Sequence, residues 1–295
     1  MTPLIVPLPT FQGVSSNTSA TVQATSRIPA GIMLRKIMLW AMVAAGNKML
    51  TDIIGDIRLR INSKDQRIAT ADEINQLNML NGPDFALSEA GGIGTANLAQ
   101  MLTIHFREPW RTDPTSNNGR IYAWNLNGVP GLELQLDIKT GLASPSIYGF
   151  YEYEPVDGSR PLGAITKWFR QDVGPTVTPS DLADSFSLNQ PNRLHSVHLF
   201  PTAGGQFVTK ASLKFGSTLY LDQVDYLTQQ GNLVAQGITP DGSATPRYDI
   251  ILDQSDSILD TLPLQGQISQ NLKLDFSGAP SGNMHIITQL SGERE

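Results

Sequence analysis

The sequence predicts an all-β protein made of two tandem jelly-roll β-sandwiches (a double jelly roll), with a short helix in each. Three observations lead to this fold class: short segments with the period of a half-buried strand follow one another, helical patterns are scarce, and one strand–helix unit occurs twice. Short strands separated by turns are typical of sandwiches.

The first copy of the repeated unit lies in residues 56–82. It begins with alternating polar and apolar residues, as a half-buried strand does. A polar turn follows at residues 62–66, and Thr70 with Glu73 then has the spacing of a capping box that starts a helix. Asn81-Gly82 before a proline predicts the end of that helix. The apolar positions are Ile57, Leu59, Ile61, Ile74, Leu77 and Leu80.

The second copy lies in residues 213–231 and lacks the capping box. Leu213 and Phe215 form its strand face. The alignment of the two copies pairs Asp222, Val224 and Leu227 with Asp72, Ile74 and Leu77. We therefore expect Val224 and Leu227 to pack the second helix against its core.

Two flanking segments recur in the same order. Residues 34–40 resemble residues 193–200, and residues 132–141 resemble residues 271–278. Three segments in one order indicate a duplicated β domain, and the alternative is the weak self-similarity of any set of amphipathic strands. The predicted organisation is an N-terminal arm at 1–16, a first jelly roll at 17–158 and a second at 159–295, with the linker near 154–163.

Further strands are predicted along both halves of the chain. Residues 32–43 have apolar residues on both faces, which predicts a central strand that contacts its own core on one side and another surface on the other. The remaining strand segments are 21–28, 101–107, 131–139, 146–154, 165–169, 185–188, 194–200, 208–215, 247–252, 271–276 and 284–290.

The arm at residues 1–16 is apolar and extended. Its prolines at positions 3, 7 and 9 predict that it stays outside the hydrogen-bond ladder of the sandwich. Exposed apolar side chains of this kind call for a partner that covers them. The residues predicted to contact partners are Leu4, Ile5, Val6, Leu8 and Phe11 of the arm, and Trp40 of the central strand.

Composition limits the classes of function. Charged residues make up 16% of the 295 residues, against about 25% in typical proteins. This indicates either a subunit covered by neighbours or a surface rich in neutral polar residues. A net charge of −6 without a basic cluster argues against direct nucleic-acid binding. The chain has no Cys and hence no disulfide.

No catalytic, cofactor or metal site is predicted. His195 and His198 are expected on opposite faces of a strand and cannot share a metal. Glu152 and Glu154 share a strand face. Two carboxylates at this spacing are more commonly outward-facing strand residues than the catalytic pair of a glycosidase. Asp249, Asp253, Asp256 and Asp260 lack the pattern of a calcium loop.

Several motifs resemble one known family: the double jelly-roll major capsid proteins of tailless, membrane-containing double-stranded DNA bacteriophages, especially the corticovirus type. The matching segments are Ile28-Pro29-Ala30-Gly31, Lys48-Met49-Leu50-Thr51, the helix at 73–78, Phe106-Arg107-Glu108-Pro109-Trp110-Arg111 and the strand at 134–138. They cover most of the first 150 residues, and the second half matches only as a jelly roll of suitable length.

The resemblance implies a major capsid protein without enzymatic activity and without cofactors. It implies homotrimers that form pseudo-hexameric capsomers and an icosahedral shell around an internal membrane and a double-stranded DNA genome. Its partners would be neighbouring capsomers, penton and minor capsid proteins and the membrane, in a virion assembled in the host cytoplasm. We expect the arm to dock beneath the shell. The alternatives are a receptor- or carbohydrate-binding β-sandwich and, behind it, a jelly-roll glycosidase.

Overall fold

The computed structural model describes residues 3–15, 20–43, 48–85, 88–90, 99–110, 123–156, 165–174, 180–181, 192–202, 208–238, 246–253, 261–264, 272–277 and 283–292. The chain divides into two compact units, the first reaching Ile165 and the second beginning at Thr166. Residues 157–163 of the predicted linker and the predicted strand at 185–188 lie outside the described residues.

The first unit contains two antiparallel sheets. Its strands are β1 Leu4–Pro7, β2 Val22–Ile28, β3 Ile32–Met42, β4 Ile54–Ile61, β5 Lys64–Thr70, β6 Ser88–Ala90, β7 Ala99–His105, β8 Trp124–Asn125, β9 Leu132–Ile138 and β10 Ser146–Pro155. One sheet has the order β1-β10-β3-β7-β6, with β8 paired to β3, and the other contains β5-β4-β9-β2. The helices are α1 Leu50–Ile53 and α2 Ala71–Leu80, and a 3-10 turn covers Pro83–Phe85.

The second unit repeats this topology. Its strands are β11 Ile165–Val173, β12 Ser180–Asp181, β13 Arg193–Pro201, β14 Lys210–Phe215, β15 Thr218–Asp225, β16 Tyr248–Ile251, β17 Leu262–Pro263, β18 Leu272–Ser277 and β19 Met284–Gly292, and its helix is α3 Tyr226–Ala235. One sheet contains β11-β19-β13-β16, with β17 on β13, and the other is β12-β18-β14-β15. Each strand therefore has a counterpart at the same place in the first unit, and both units are jelly rolls.

The core of each unit lies between its two sheets. In β3 the buried side chains of Leu34, Ile37, Leu39 and Ala41 point inward. Their counterparts on β13 are Leu194, Val197 and Leu199, which belong to the hydrophobic core of the second unit. Both strands lie inside a sheet, with a neighbouring strand on each side. For β3 this is the position that the apolar character of residues 32–43 predicts.

The predicted start and end of the first helix are confirmed. Thr70 accepts a hydrogen bond from the backbone N–H of Glu73, and the Glu73 carboxylate accepts one from the N–H of Thr70. Asn81 is the C-cap, and Gly82 follows with φ at 141°. Ile74, Leu77 and Leu80 are buried. A strand that was not predicted, β5, directly precedes this helix in the sequence. It pairs with β4, and a turn at Asn62 and Ser63 joins the two strands.

The alignment of the second helix is wrong by five residues. The N-cap is Asp225, whose carboxylate accepts from the N–H of Thr228, so Asp225 corresponds to Thr70. Val224 lies within β15, and Leu227 is 78% exposed. The buried residues of α3 are Gln229, Gln230 and Leu233. The cause is β15, whose polar residues among apolar ones hide the alternation of a strand.

The prediction that the arm stays outside the ladder is also wrong. β1 pairs with β10, with Leu4 opposite Tyr153 and Pro7 opposite Phe150. The N–H of Leu8 donates to Gly149 O at 2.9 Å, so the even-numbered residues direct their backbone groups toward β10. Pro3 and Pro7 occupy the alternate positions, whose N–H would point away from the sheet. A proline there removes no ladder bond, which is why an edge strand tolerates it.

The rest of the arm is tied to β2. Gln12 and Thr25 exchange two backbone hydrogen bonds, and the Ser26 hydroxyl donates to Pro9 O at 2.7 Å. Leu8 and Phe11 are buried. Within the described part of the chain, no helix is long and apolar enough to cross a membrane.

Two matched leucines test the helix assignment. Leu77→Ala should lower the free energy of unfolding by about 2 to 5 kcal/mol because it empties a core position. Leu227→Ala, at a residue that is 78% exposed, should change it by less than about 0.5 kcal/mol in the isolated chain. Urea unfolding measures both, and equal effects would contradict the five-residue shift.

Deletion of residues 1–12 tests the arm. Because it removes β1 and the buried side chains of Leu8 and Phe11, it should lower the melting temperature by at least about 5 °C. Ile5→Ala, at an exposed position of β1, is the control, and both variants are compared as isolated chains, in which Ile5→Ala should leave the melting temperature unchanged. A truncated chain that melts like the full chain would show that the arm adds nothing to the fold.

Candidate functional site

The six residues predicted to contact partners occupy different environments. Ile5 and Leu4 of β1 are 57% and 46% exposed. Val6 and Trp40 are half-buried, whereas Leu8 and Phe11 are buried within the first unit. The surface that remains for a partner therefore centres on β1 and on the sheet that carries Trp40.

Ile5 and Trp40 lie on the same face of that sheet, the face turned away from the core. Directly opposed residues of paired antiparallel strands share a face. The pairing places three rows across it: Ile5, Glu152, Lys36 and His105; Pro7, Phe150, Met38 and Thr103; Tyr148, Trp40 and Met101. We call this surface the outer face of the first unit.

One half of the outer face is apolar and aromatic. The rings of Trp40 and Tyr148 stack with centroids 6.0 Å apart and planes 6° apart. Phe150 meets Trp40 edge-on at 5.7 Å. Tyr148 is 42% exposed, so part of this cluster is available for contact. Aromatic rings with a polar tip are enriched in protein interfaces.

The other half is charged. Glu152 forms ion pairs with Arg35 and Lys36. Arg35 Nη1 and Lys36 Nζ each lie 3.0 Å from one of its carboxylate oxygens. Arg35 Nε also lies 3.5 Å from Glu154 Oε1. Glu152 and Glu154 thus share a face as their spacing predicts, and both are held by cations.

A cavity of about 350 Å³ opens beside these ion pairs. Its polar lining comes from Arg35, Lys36, Asp84, Thr103, His105, Arg107 and Glu152, and its apolar lining from Met38, Phe85, Met101 and Pro109. Cations and carboxylates are mixed around it, so the lining charge does not select an anion or a cation.

His105 lies at the edge of this cavity in a mainly apolar setting. Its ring meets those of Phe85 and Trp110 edge-on, with centroids 5.6 Å away in both cases. Burial, followed by the positive charges of Lys36 and Arg67, lowers the pKa of His105 to about 4. Arg67 is itself buried, and its guanidinium lies 5.0 Å from the centroid of Phe106 and 5.2 Å from that of Trp124. Burial lowers the pKa of Arg67 to about 9, although Glu108 opposes the shift.

The same position in the second unit carries buried hydrogen-bond networks that the sequence analysis missed. His195 Nδ1 lies 2.9 Å from Asp253 Oδ2, and its Nε2 lies 2.8 Å from Ser291 Oγ. His198 Nδ1 lies 2.6 Å from Asp249 Oδ1, and its Nε2 lies 2.7 Å from Ser196 Oγ. The only available signal was His198 facing Asp249 on paired strands, which needs the register of β13 and β16.

Both networks have the connectivity of a Ser-His-Asp triad, but their burial argues against catalysis. Ser196, His198 and Asp249 expose 3%, 1% and 0% of their surfaces. A substrate carbonyl cannot approach a hydroxyl enclosed in this way. Arg247 Nε lies 2.9 Å from both carboxylate oxygens of Asp249. Burial alone would raise the pKa of Asp249, and the charge of Arg247 together with His198 holds it below its usual range. These residues therefore act as a buried, paired network.

The two histidines bind different carboxylates and do not converge. Among the described residues, no group of three His, Cys, Asp or Glu side chains is placed to hold a metal ion. Asp256 and Asp260 lie outside the described residues.

Comparison with known proteins identifies the family. A family model described as the viral coat protein P2 N-terminal domain matches residues 5–154. The chain belongs to this viral coat protein family. No curated protein sequence matches the chain. As a coat protein it is a structural component of the virion capsid and not an enzyme.

Solved structures of low identity share the fold over almost the whole coat protein. The major capsid protein P2 from Bacteriophage PM2 is 15% identical with a TM-score of 0.77, covering 100% of this chain and 98% of that chain. The STIV MCP is 14% identical with a TM-score of 0.64, at 99% and 97% coverage. The PBCV-1 virus capsid is 10% identical with a TM-score of 0.56, at 98% and 93% coverage.

The lowered pKa of His105 predicts a pH dependence of stability. The folded chain binds the His105 proton more weakly than the unfolded chain, in which the pKa is about 6.5. This contribution to stability is complete above pH about 6.5 and decreases as the pH falls from there toward about 4. A pKa shift of this size corresponds to about 3 kcal/mol.

His105→Gln should reduce the slope of the free energy of unfolding against pH in this window, as measured by urea unfolding at a series of pH values. The variant and parent are compared at pH about 7.5, where His105 is neutral in both states and the difference reports packing alone. An unchanged slope in the variant would show that another group causes the acid sensitivity.

Proposed function

We propose that this coat protein is the major capsid protein of an icosahedral virus and that three copies form a pseudo-hexameric capsomer. The observation that carries the proposal is the repetition of one jelly-roll topology in a single chain. Three chains with two similar units each supply six similar units, which suits a ring with threefold symmetry and a nearly sixfold outline.

The composition supports an assembled role. The charged fraction is 16%, and interface centres are depleted in charge. Exposed apolar side chains occur in both units, with Leu4, Ile5 and Tyr148 in the first and Leu219, Tyr220, Leu227 and Val234 in the second. Apolar residues at these positions favour contacts with other subunits.

The proposed partners are neighbouring capsomers, penton and minor capsid proteins and an internal membrane around a double-stranded DNA genome, with assembly in the host cytoplasm. Their support is the resemblance carried by the motifs of the first half. Of the six proposed contact residues, Leu4, Ile5 and Trp40 offer surface to such partners. Leu8 and Phe11 contribute from inside the fold by holding β1 in place.

Sedimentation equilibrium of the purified chain tests the capsomer. The expected mass is three times the 32.1 kDa of one chain, and image reconstruction of particles that contain the chain should show capsomers with six similar lobes above a bilayer. A mass of one chain at all concentrations would contradict the trimer. Capsomers with six lobes but no underlying bilayer would contradict the proposed internal membrane and leave the proposed capsomer in place.

A further inference from the structure

The two jelly rolls differ sharply in which of their edge strands are buried. β5 of the first unit has Gln66, Arg67 and Ala69 buried, whereas its counterpart β15 has no buried residue. The first four residues of β11 are buried, whereas no residue of its counterpart β1 is. Each kind of edge strand thus has buried residues in one unit and none in the other, within the described part of the chain.

The helices that follow β5 and β15 also differ, in the polarity of one exposed face. With Thr70 and Asp225 as equivalent N-caps, Asp72, Gln76 and Met79 of α2 correspond to Leu227, Gly231 and Val234 of α3. On α2 this face is mainly polar, and Gln76 Nε2 donates to Asp72 Oδ2 at 2.8 Å. On α3 it is apolar, with Leu227 and Val234 exposed by 78% and 55%.

A helix of a soluble protein normally turns its apolar face inward. In α3 the buried positions include Gln229 and Gln230, while Leu227 and Val234 point outward. Leu219 and Tyr220 of β15 add exposures of 47% and 44%. We call the surface of Leu219, Tyr220, Leu227 and Val234 the α3 surface. Four exposed apolar side chains on two successive elements mark this region as a candidate contact surface.

We propose that the α3 surface binds the β1 edge of a second copy of this chain, so that the capsomer closes head to tail. In a ring of similar units every unit uses the same two sides, so the side exposed on the second unit must meet the side exposed on the first unit of the next copy. These sides are the α3 surface and the edge formed by Leu4 and Ile5. The inference rests on the proposed trimer and specifies its interface.

The backbone of β1 indicates how the contact is made. Pro3 and Pro7 occupy positions whose N–H would face the free edge, so Ile5 is the residue between them that can donate outward. An incoming strand would find few donors, and continuous strand addition is therefore disfavoured. The contact is made mainly by side chains, with Leu4 and Ile5 packing on the apolar α3 surface.

Leu227→Asp tests the α3 surface with the residue that α2 carries at the same position. Loss of a central apolar anchor should raise the dissociation constant of the trimer at least about 30-fold in sedimentation experiments. The matched control is Met79→Gln on α2, which is 44% exposed and should leave the constant unchanged. Circular dichroism and the melting temperature of the dissociated variant should match those of dissociated parent chain.

Cysteine cross-linking provides a second test that barely perturbs the fold. The chain contains no Cys, so Ile5→Cys combined with Leu219→Cys introduces the only two thiols. A short bismaleimide should link the double variant into covalent dimers and trimers, while each single variant should remain uncrosslinked because the contact is head to tail. Ile5→Cys with Met79→Cys is the control pair and should stay monomeric on a denaturing gel.

The outcomes separate the two proposals. If the parent chain trimerises but Leu227→Asp trimerises equally well and the double cysteine variant does not cross-link, the interface is wrong and the capsomer stands. Cross-linking of a single variant to itself would indicate a twofold contact and would overturn the head-to-tail arrangement. A parent chain that never trimerises would overturn the proposed capsomer itself.

Discussion

One extra residue in the central strand of each jelly roll controls the chemistry of the outward sheet face. Arg35 is inserted in β3 between positions paired with Glu152 and Tyr153, and His195 is inserted in β13 between positions paired with Gln289 and Leu290. A bulge of this kind places two consecutive side chains where alternation would place one. In the first unit the bulge directs Arg35 away from the core, to Glu152. In the second unit it directs His195 away from the core, to Ser291.

The two units conserve this geometry while differing in charge and solvation. In the first, Arg35 and Lys36 meet carboxylates at the rim of a cavity. In the second, imidazoles meet carboxylates and hydroxyls in near-complete burial. A buried charge must be paired, so removing one partner of such a pair is costly. The second unit thus uses its networks to fill a polar interior, and the first keeps a polar surface.

The fold class and most strands could be predicted because a half-buried strand alternates polar and apolar residues, and this alternation is visible in the sequence. The sequence did not reveal β5 and β15, in which polar residues interrupt the alternation, and the missed β15 misplaced α3 by five residues. The prediction for β1 was wrong because the sequence does not show which residues direct their backbone N–H groups toward the neighbouring strand. The effect of a proline depends on that direction. The outer face joins Ile5, Glu152 and Lys36 from three strands distant in sequence. Such a site depends on pairing register, which local patterns do not contain.

The prolines of β1 also bear on the size that an assembly can reach. A free strand edge can recruit another strand, and that one the next, so growth has no natural end and yields fibres. Placing Pro3 and Pro7 at the outward-facing positions makes the first such step unfavourable while leaving the pairing with β10 intact. Association must then proceed through side chains of fixed orientation, whose geometry can close on itself. For a subunit needed in many copies at high concentration, this separates finite particles from aggregation.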